Sequence, residues 1–174
     1  NLRKKLTNKI KQEEIKMTNI KGKFDNSISS IWENSGIKIG VKRDVNFLNW
    51  RYDRPGVKYF KFILDSNEGF LILKIFNDKE KSFLHICDLV VKEHRMDLIS
   101  QALKFSEQFG INKNCKTITS WNCVDHLYAK YYDEEKMTIS SIQKYCFVLS
   151  NKFTIEYLKK PKLWYLSHGD SDVY

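Results

Sequence analysis

The sequence predicts a mixed α/β domain, in which helices cover both faces of one sheet. Short polar turns separate three strand-like runs at residues 58–64, 70–76 and 82–91. Turns of this length connect neighbouring antiparallel strands. A helix over residues 97–109 and a strand over residues 116–121 follow. A strand reached through a helical crossover lies parallel to the strand before it, so the predicted sheet is an antiparallel meander followed by a parallel crossover.

The stretch from Phe83 to Gly110 is the most informative part of this prediction. Both faces of its strand are mostly apolar, which is typical of a central strand covered on both sides. The helix after it carries a wide apolar stripe, and Gly110 is predicted to end it. Strict alternation puts Asp88 on the face of Leu84, opposite His85. A carboxylate in such a strand must be hydrogen-bonded, paired with a charge or shifted in pKa.

Shorter elements flank this unit. A helix is predicted over residues 27–34 and an edge strand over residues 37–41. Asp44 is expected to cap the helix that starts just after it. Beyond the crossover, the pattern predicts a helix over residues 123–132 and a strand over residues 140–149.

The basic charge of the chain is concentrated at one end. Residues 1–24 carry a net charge of +6, whereas the other 150 residues carry only +3. Leu2, Leu6 and Ile10 recur at helical spacing, so residues 1–24 are interpreted as a basic linker or the end of an upstream domain, and residues 25–174 as the domain itself. Because residues 25–174 are nearly balanced in charge, nucleic acid is not the expected partner.

Composition narrows the class of protein. The apolar runs are far too short to span a bilayer, and the lysine-rich start does not resemble a signal peptide. The cysteines lack paired metal-ligand spacing and are interpreted as reduced thiols of a cytoplasmic protein. They are Cys87, Cys115, Cys123 and Cys146. No two histidines share a ligand spacing on one helix, so no metal site is predicted.

Several short stretches together resemble a known fold. NFLNWRYDRPGVKYF precedes the meander, and GFLILKIF and FLHICDLVV match its second and third strands. ITSWN and LYAKYY follow the crossover helix, and WYLSHGDSDVY lies at the end. Over residues 38–174 the chain resembles the GNAT (N-acetyltransferase-like) fold, in particular the C-terminal half of GNAT-like proteins of bacterial surface-polysaccharide synthesis.

This resemblance implies a cofactor site. In the family, the third meander strand splays from its parallel neighbour, its backbone binds the pantetheine arm of acetyl-CoA, and a glycine-containing turn binds the pyrophosphate. The resemblance therefore assigns the arm to Leu89, Val90 and Val91, and the phosphates to the turn that holds His94 and Arg95. That turn reads KEHRMD and has no glycine, so side chains would have to replace the close backbone approach.

The resemblance also implies catalytic residues. Asn122 followed by Leu-Tyr-Ala-Lys resembles the helix that carries the family's tyrosine acid, although its spacing is one residue short. Tyr128 would protonate the leaving thiolate, and Asp88 or a water would take a proton from the amine. Two alternatives stay open: Tyr128 packs its helix, and Asp88 bridges structural elements.

Candidate substrate-binding residues lie near both ends of the region that resembles the GNAT fold. Arg51, with Arg54, has the chemistry to hold a substrate phosphate, and an Arg–Asp pair is the alternative. Asp170 and Asp172 form an acidic cluster with His168 and are candidates for substrate binding. Two carboxylates and a histidine could also suggest a metal, but a third ligand is missing, and a capped or solvated turn is favoured.

Two functions follow from these observations. The first is a GNAT-type acyltransferase that moves an acetyl group from acetyl-CoA to an amine on a sugar or nucleotide-sugar. The second is a non-catalytic GNAT-like lobe for acceptor binding or dimerisation in a two-lobed protein. The expected partners are a small-molecule amine or sugar and an upstream domain of the same polypeptide, with a homo-oligomer left open. The glycine-free turn and the basic leading segment favour the second function.

Overall fold

The computed structural model describes residues 2–6, 16–78, 81–123, 125–139 and 154–171. The strands are β1 (Leu2–Lys5), β2 (Met17–Ile20), β3 (Phe60–Leu64), β4 (Gly69–Asp78), β5 (Lys81–Val91), β6 (Thr117–Ser120) and β7 (Thr138–Ile139). The α-helices are α1 (Ser29–Glu33), α2 (Val45–Tyr52), α3 (Asp97–Asn112), α4 (Ala129–Glu134) and α5 (Ile155–Leu158). Short 3-10 helices cover Asn26–Ile28, Glu93–Arg95, Pro161–Leu163 and His168–Asp170.

The described strands form one mixed sheet in the order β2-β3-β4-β5-β6-β1-β7. The pairs β3–β4 and β4–β5 are antiparallel, whereas β5 and β6 are parallel and are connected through α3. The predicted meander and parallel crossover are both confirmed. The chain is therefore a mixed α/β protein.

Helix α3 covers one face of the sheet. The ring of Phe105 packs edge-on against Phe62 of β3, and the ring of Phe109 against Phe60, each with centroids 4.9 Å apart. The aromatic contacts join the crossover helix to the meander, and such ring pairs stabilise a core beyond the area they bury.

Gly110 does not end α3 as the sequence predicts, because the helix continues to Asn112. A Cβ atom at Gly110 would lie 2.7 Å from the side chain of Leu6 and 3.2 Å from that of Leu84. Glycine is required here because it lets the helix approach the strands closely, not because the helix stops.

The opposite face of β5 is covered by other parts of the chain. His85 follows Leu84, so its side chain points away from α3. Its ring lies 4.9 Å from the ring of His168 in the C-terminal segment. Tyr52 of α2 reaches the same face, where it bonds to Asp88. Helical elements thus lie on both sides of the sheet.

The helical interpretation of residues 1–20 is wrong where the chain is described. Leu2–Lys5 pairs with both β6 and β7, and Met17–Ile20 pairs with β3 at the sheet edge. Apolar residues four apart fit a strand as well as a helix, since Leu2 and Leu6 lie on one face in either period. The division of the chain at residue 24 stays a prediction, but β1 and β2 belong to the same sheet as the meander.

Other elements differ in extent from their predictions. The predicted edge strand over residues 37–41 is reduced to one bridge, between Ile39 and Trp164. The predicted helix over residues 123–132 begins only at Ala129. Asp44 caps α2 as predicted, since its carboxylate accepts from the Phe47 amide at 2.9 Å. The predicted strand over residues 140–149 lies outside the described residues.

Candidate functional site

A β-bulge in β5 determines how the candidate site is built. Ile72 of β4 faces Asp88, but the next residue of β4, Leu73, faces Ile86. Cys87 is therefore an extra residue without a partner across the ladder, which is the definition of a bulge. Such insertions bend a strand and re-aim the side chains that follow.

The bulge reverses the predicted faces of the strand. Asp88 accepts a hydrogen bond from the hydroxyl of Ser167, whose neighbour His168 packs on the ring of His85. Asp88 and His85 thus share a face, whereas strict alternation placed Asp88 with Leu84. The correction follows from the one inserted residue, because it shifts the period of two by one position.

The pairing of β5 with β6 ends just at this point. Their parallel pairing joins residues 83–86 to residues 117–120 and goes no further in the described chain. Residues 87–91 of β5 extend beyond the paired part of β6, and we call the region between them and the chain after Ser120 the splay. Leu89, Val90 and Val91, the residues assigned to the pantetheine arm, line it.

Two buried tyrosines fill the splay. The hydroxyl of Tyr165 accepts from the amide of Leu89 at 3.1 Å and donates to Asp88 at 2.8 Å. The hydroxyl of Tyr128 accepts from the amide of Val91 at 3.2 Å. Burial raises the pKa of both phenols above the usual value, so both hydroxyls keep their protons at neutral pH. The backbone groups that would hold a cofactor arm are therefore bonded within the chain.

Asp88 is the centre of a buried polar network. Its carboxylate accepts from Arg43 at 3.3 Å, from Tyr52 at 2.5 Å and from Ser167 at 2.7 Å, in addition to Tyr165. A carboxylate has about four good acceptor positions, and this one has a donor for each. The prediction that Asp88 is hydrogen-bonded or paired is confirmed, and its bridging role leaves no position open for a substrate amine.

Arg43 is the residue that sequence reasoning missed. Its guanidinium is fully buried, donates to Asp170 at 2.7 Å and to the carbonyl of Val41 at 2.7 Å, and lies over the ring of Phe47. Burial alone would lower the pKa of Arg43, but the charge of Asp88 and the bond to Asp170 raise it above the usual value. The only sequence signal was indirect, because an aspartate in a covered strand requires a cation somewhere.

The C-terminal segment makes a capped turn that joins this network. The amide of Ser167 donates to Asp170 at 2.9 Å, and the amide of Gly169 donates back to the Ser167 hydroxyl at 3.0 Å. A Cβ atom at Gly169 would lie 2.1 Å from the hydroxyl of Tyr52, so glycine is needed for this close approach. Asp170 thus has the capping role that the sequence left open, and Asp172 lies outside the described residues.

Arg51 holds the same segment from the other side. It is buried and donates to the backbone carbonyls of Gly169, at 2.8 Å, and Ser171. Its side chain is therefore held away from solvent, and within the described residues it forms no ion pair with Asp44 or Asp53, the partners that the sequence suggested. Arg54, its neighbour in the prediction, is exposed instead.

The glycine-free turn is closed by ion pairs. His94 lies 2.8 Å from Glu68, and Arg95 pairs with Asp65 at 2.5 Å and with Asp97 at 3.0 Å. Hydrogen bonds to Asp97 and Asp65 raise the pKa of the Arg95 guanidinium above its usual value. The two side chains assigned to the phosphates are thus engaged with carboxylates.

Three buried histidines lie around the splay and on the same face of the sheet. His85 and His168 are in ring contact, and Thr119 lies 2.6 Å from Nδ1 of His85. Burial lowers the pKa of His85 and of His126 to about 4 and that of His168 to about 2, so all three are neutral at pH 7. The folding of the chain brings together residues that look scattered in the sequence.

Two features were sought in the described residues, a group of metal ligands and a membrane-spanning helix. Within it, no group of three or more His, Cys, Asp or Glu side chains is placed to hold a metal ion. None of its helices has both the length and the apolar character needed to cross a bilayer. Cys87 and Cys115 are free and buried, as predicted for reduced core thiols. Cys146 lies outside the described residues.

A second region, beside the end of α2, is open. Two adjoining clefts of about 660 and 720 Å³ share Asp53 and Arg54 in their walls, and together we call them the basic cleft. Its charged wall residues are Lys21, Lys23, Asp53, Arg54, Lys58 and Lys61. Trp50 stands at its rim with 67% of its surface exposed.

A scan of protein-family models, a search of curated proteins and a search of solved structures each found no match to this chain.

Proposed function

We propose that this chain is a non-catalytic GNAT-like lobe, which serves a two-lobed acyltransferase in acceptor binding and does not hold acetyl-CoA in its own splay. The arrangement of the sheet supports the GNAT-like part of this proposal. An antiparallel meander leads through a crossover helix to a parallel strand, and the central strand separates from that neighbour after a bulge. This is the layout that the sequence resemblance implies around a cofactor cleft.

One observation carries the non-catalytic part of the proposal. The amides of Leu89 and Val91 are both bonded to buried tyrosine hydroxyls of the same chain. A pantetheine arm would have to displace Tyr165 and Tyr128, and each backbone bond it gained would replace one that was lost. Such an exchange contributes little net binding free energy.

The turn after β5 supports the same conclusion. A pyrophosphate needs several backbone amides or cations that face it. Here the amide of Glu93 donates to the carbonyl of Asn34 at 2.7 Å, and Arg95 is held by two carboxylates. Phosphate binding at this turn would require breaking these contacts and would bring two negative charges against the phosphate.

Acyl transfer by this lobe itself is the competing function. It places acetyl-CoA in the splay, with Tyr128 as the acid and Asp88 as the base. Both groups are buried, and Asp88 already accepts from four side chains. The competing function therefore requires that the C-terminal segment leave the splay before the cofactor binds.

S-acetyl-pantetheine separates these functions, because it carries the arm and the thioester without any phosphate. Calorimetric titration of the full 174-residue chain is expected to show no saturable binding at millimolar ligand. A Tyr165→Ala variant is the matched control, since it removes the side chain that occupies the Leu89 amide. Saturable binding by the unmodified chain would contradict the proposal, and binding by the variant alone would show that the tyrosine closes the site.

A further inference from the structure

The basic cleft is formed by three segments that are distant in sequence. The end of β2 and the loop after it form one wall, the end of α2 forms another, and residues 56–61 leading into β3 form the third. Gly22 and Gly56 both have positive φ, and a Cβ atom at either would meet no atom within 4 Å. Within the described residues, the recess is therefore open at these two turns.

Most of the cations in the described wall of this recess lack an acidic partner there. Asp53 forms an ion pair with Lys61 at 3.7 Å, and it is the one acidic residue in the described wall. Lys21, Lys23 and Arg54 form no ion pair within the described residues. The turn at residues 93–97 differs, since each of its basic side chains has a carboxylate. A recess with several uncompensated cations attracts anions.

The cleft also offers a flat apolar surface. Trp50 and Arg54 are four residues apart and both line the same part of the recess. The centroid of the Trp50 indole lies 5.8 Å from that of the Phe47 ring, and the indole is otherwise largely exposed. An exposed indole beside a guanidinium suits a ligand that has a ring next to an anionic group.

Tyr59 lines the second part of the cleft. Its hydroxyl is buried and has no hydrogen-bond partner within the described chain. Buried hydroxyls are almost always hydrogen-bonded, so this one requires a partner from outside the described residues.

We propose that the basic cleft binds a phosphorylated small molecule, with its phosphate on Arg54 and the neighbouring lysines and its ring on Trp50. The size of each half of the cleft matches that of small-ligand sites. The cations converge on one recess, whereas a nucleic-acid surface presents them along an extended stripe. This inference stands on the cleft alone and does not depend on the proposed function, which leaves the acceptor site unlocated.

Three probes distinguish which chemical groups the cleft recognises. They are uridine diphosphate, glucose 1-phosphate and inorganic pyrophosphate. Calorimetry at low salt is expected to show saturable binding of uridine diphosphate. Arg54→Ala should weaken it at least about tenfold, as for the loss of a charge-assisted contact. Trp50→Ala should weaken uridine diphosphate but leave pyrophosphate unchanged. Tighter binding of glucose 1-phosphate than of uridine diphosphate would support the site and assign it to a sugar phosphate.

The controls test whether a variant changes stability and whether any loss of a surface cation weakens binding. Trp50 and Arg54 are exposed, so both variants should unfold at the same urea concentration as the unmodified chain. Lys130→Ala removes an exposed cation on α4, outside the cleft, and should not affect binding. Absence of binding by all three probes would overturn the proposal, as would an equal loss of affinity in Lys130→Ala. A single-stranded oligonucleotide that binds more tightly than uridine diphosphate would also overturn it.

Discussion

The splay and the basic cleft differ in whether their polar groups are already bonded within the chain. In the splay, the amides of Leu89 and Val91 and the carboxylate of Asp88 are all bonded to side chains of the chain itself. In the described wall of the basic cleft, Arg54 and several lysines lie beside a single carboxylate, that of Asp53. The sequence resemblance points to the splay as the ligand site, whereas the polar groups that are free to bind a ligand lie in the basic cleft.

The difference has an energetic basis. Opening the splay would break hydrogen bonds worth about 1 kcal/mol each and would expose a buried ion pair between Arg43 and Asp88. A ligand that enters the basic cleft meets Lys21, Lys23 and Arg54, which form no ion pair within the described residues. A position in a fold therefore predicts a ligand site only when its polar groups are not already satisfied.

The largest effect is expected from Asp88→Ala, which removes the acceptor shared by the groups that close the splay. Arg43 would remain fully buried with only Asp170 as a charged partner, so the variant should lose about 3–5 kcal/mol of unfolding free energy. Urea unfolding at pH 7 measures this loss. Glu33→Ala is the matched control, because its ion pair with Lys42 is exposed and should contribute less than about 1 kcal/mol. Equal losses in the two variants would contradict the network.

A smaller effect per group is expected from pH, because three buried histidines surround the closed region. Burial lowers the pKa of His85 and His126 to about 4 and that of His168 to about 2, from a usual value of 6.5. The unfolded chain thus binds more protons below pH 6.5, and stability should fall as the pH drops from 6.5 towards 4. Each histidine contributes up to about 1.4 kcal/mol per pH unit in this window.

Urea unfolding at pH 7, 6 and 5 tests this dependence. A His126→Gln variant, which removes one of the three groups, should show a shallower loss of unfolding free energy over the same range. An unfolding free energy that stays constant between pH 7 and pH 5 would show that these histidines are accessible to solvent. It would contradict their burial in the closed region.

The smallest effect is expected from Tyr165→Phe, which removes one hydroxyl and leaves the ring. The Leu89 amide and Asp88 would each lose a partner, at a cost of about 1–3 kcal/mol. Amide hydrogen exchange should become faster at Leu89 while Val91 stays protected by Tyr128. In the control, Tyr131→Phe, exchange at both amides should be unchanged. Unchanged exchange at Leu89 in Tyr165→Phe would mean that the hydroxyl does not close the splay.

The meander and the crossover could be predicted because their signals are local. Alternating apolar residues and short polar turns define β3, β4 and β5, and the stripe of α3 defines the crossover. Strand β1 could not be predicted, because Leu2 and Leu6 fit both a helix and a strand. Its place next to β6 depends on pairing with residues more than 100 positions away.

The chemistry of the splay was harder to predict than its position. One inserted residue, Cys87, moves Asp88 to the other face, and a bulge has no clear signature in an apolar strand. Arg43 looks like one of many surface cations, and Tyr165 like one of many aromatics. Their roles appear only when the C-terminal segment folds back onto β5, which no spacing along the chain encodes.

Amide spectroscopy of the ¹⁵N-labelled chain with acetyl-CoA tests the central claim most directly, because this ligand carries both an arm for the splay and phosphates for the basic cleft. The account predicts that the resonances of Leu89, Val90 and Val91 do not move, and that any shifts occur at residues of the basic cleft such as Gly22 and Gly56. Saturable shifts at Leu89 and Val91 would contradict it, since they would place the arm in the splay despite the tyrosines.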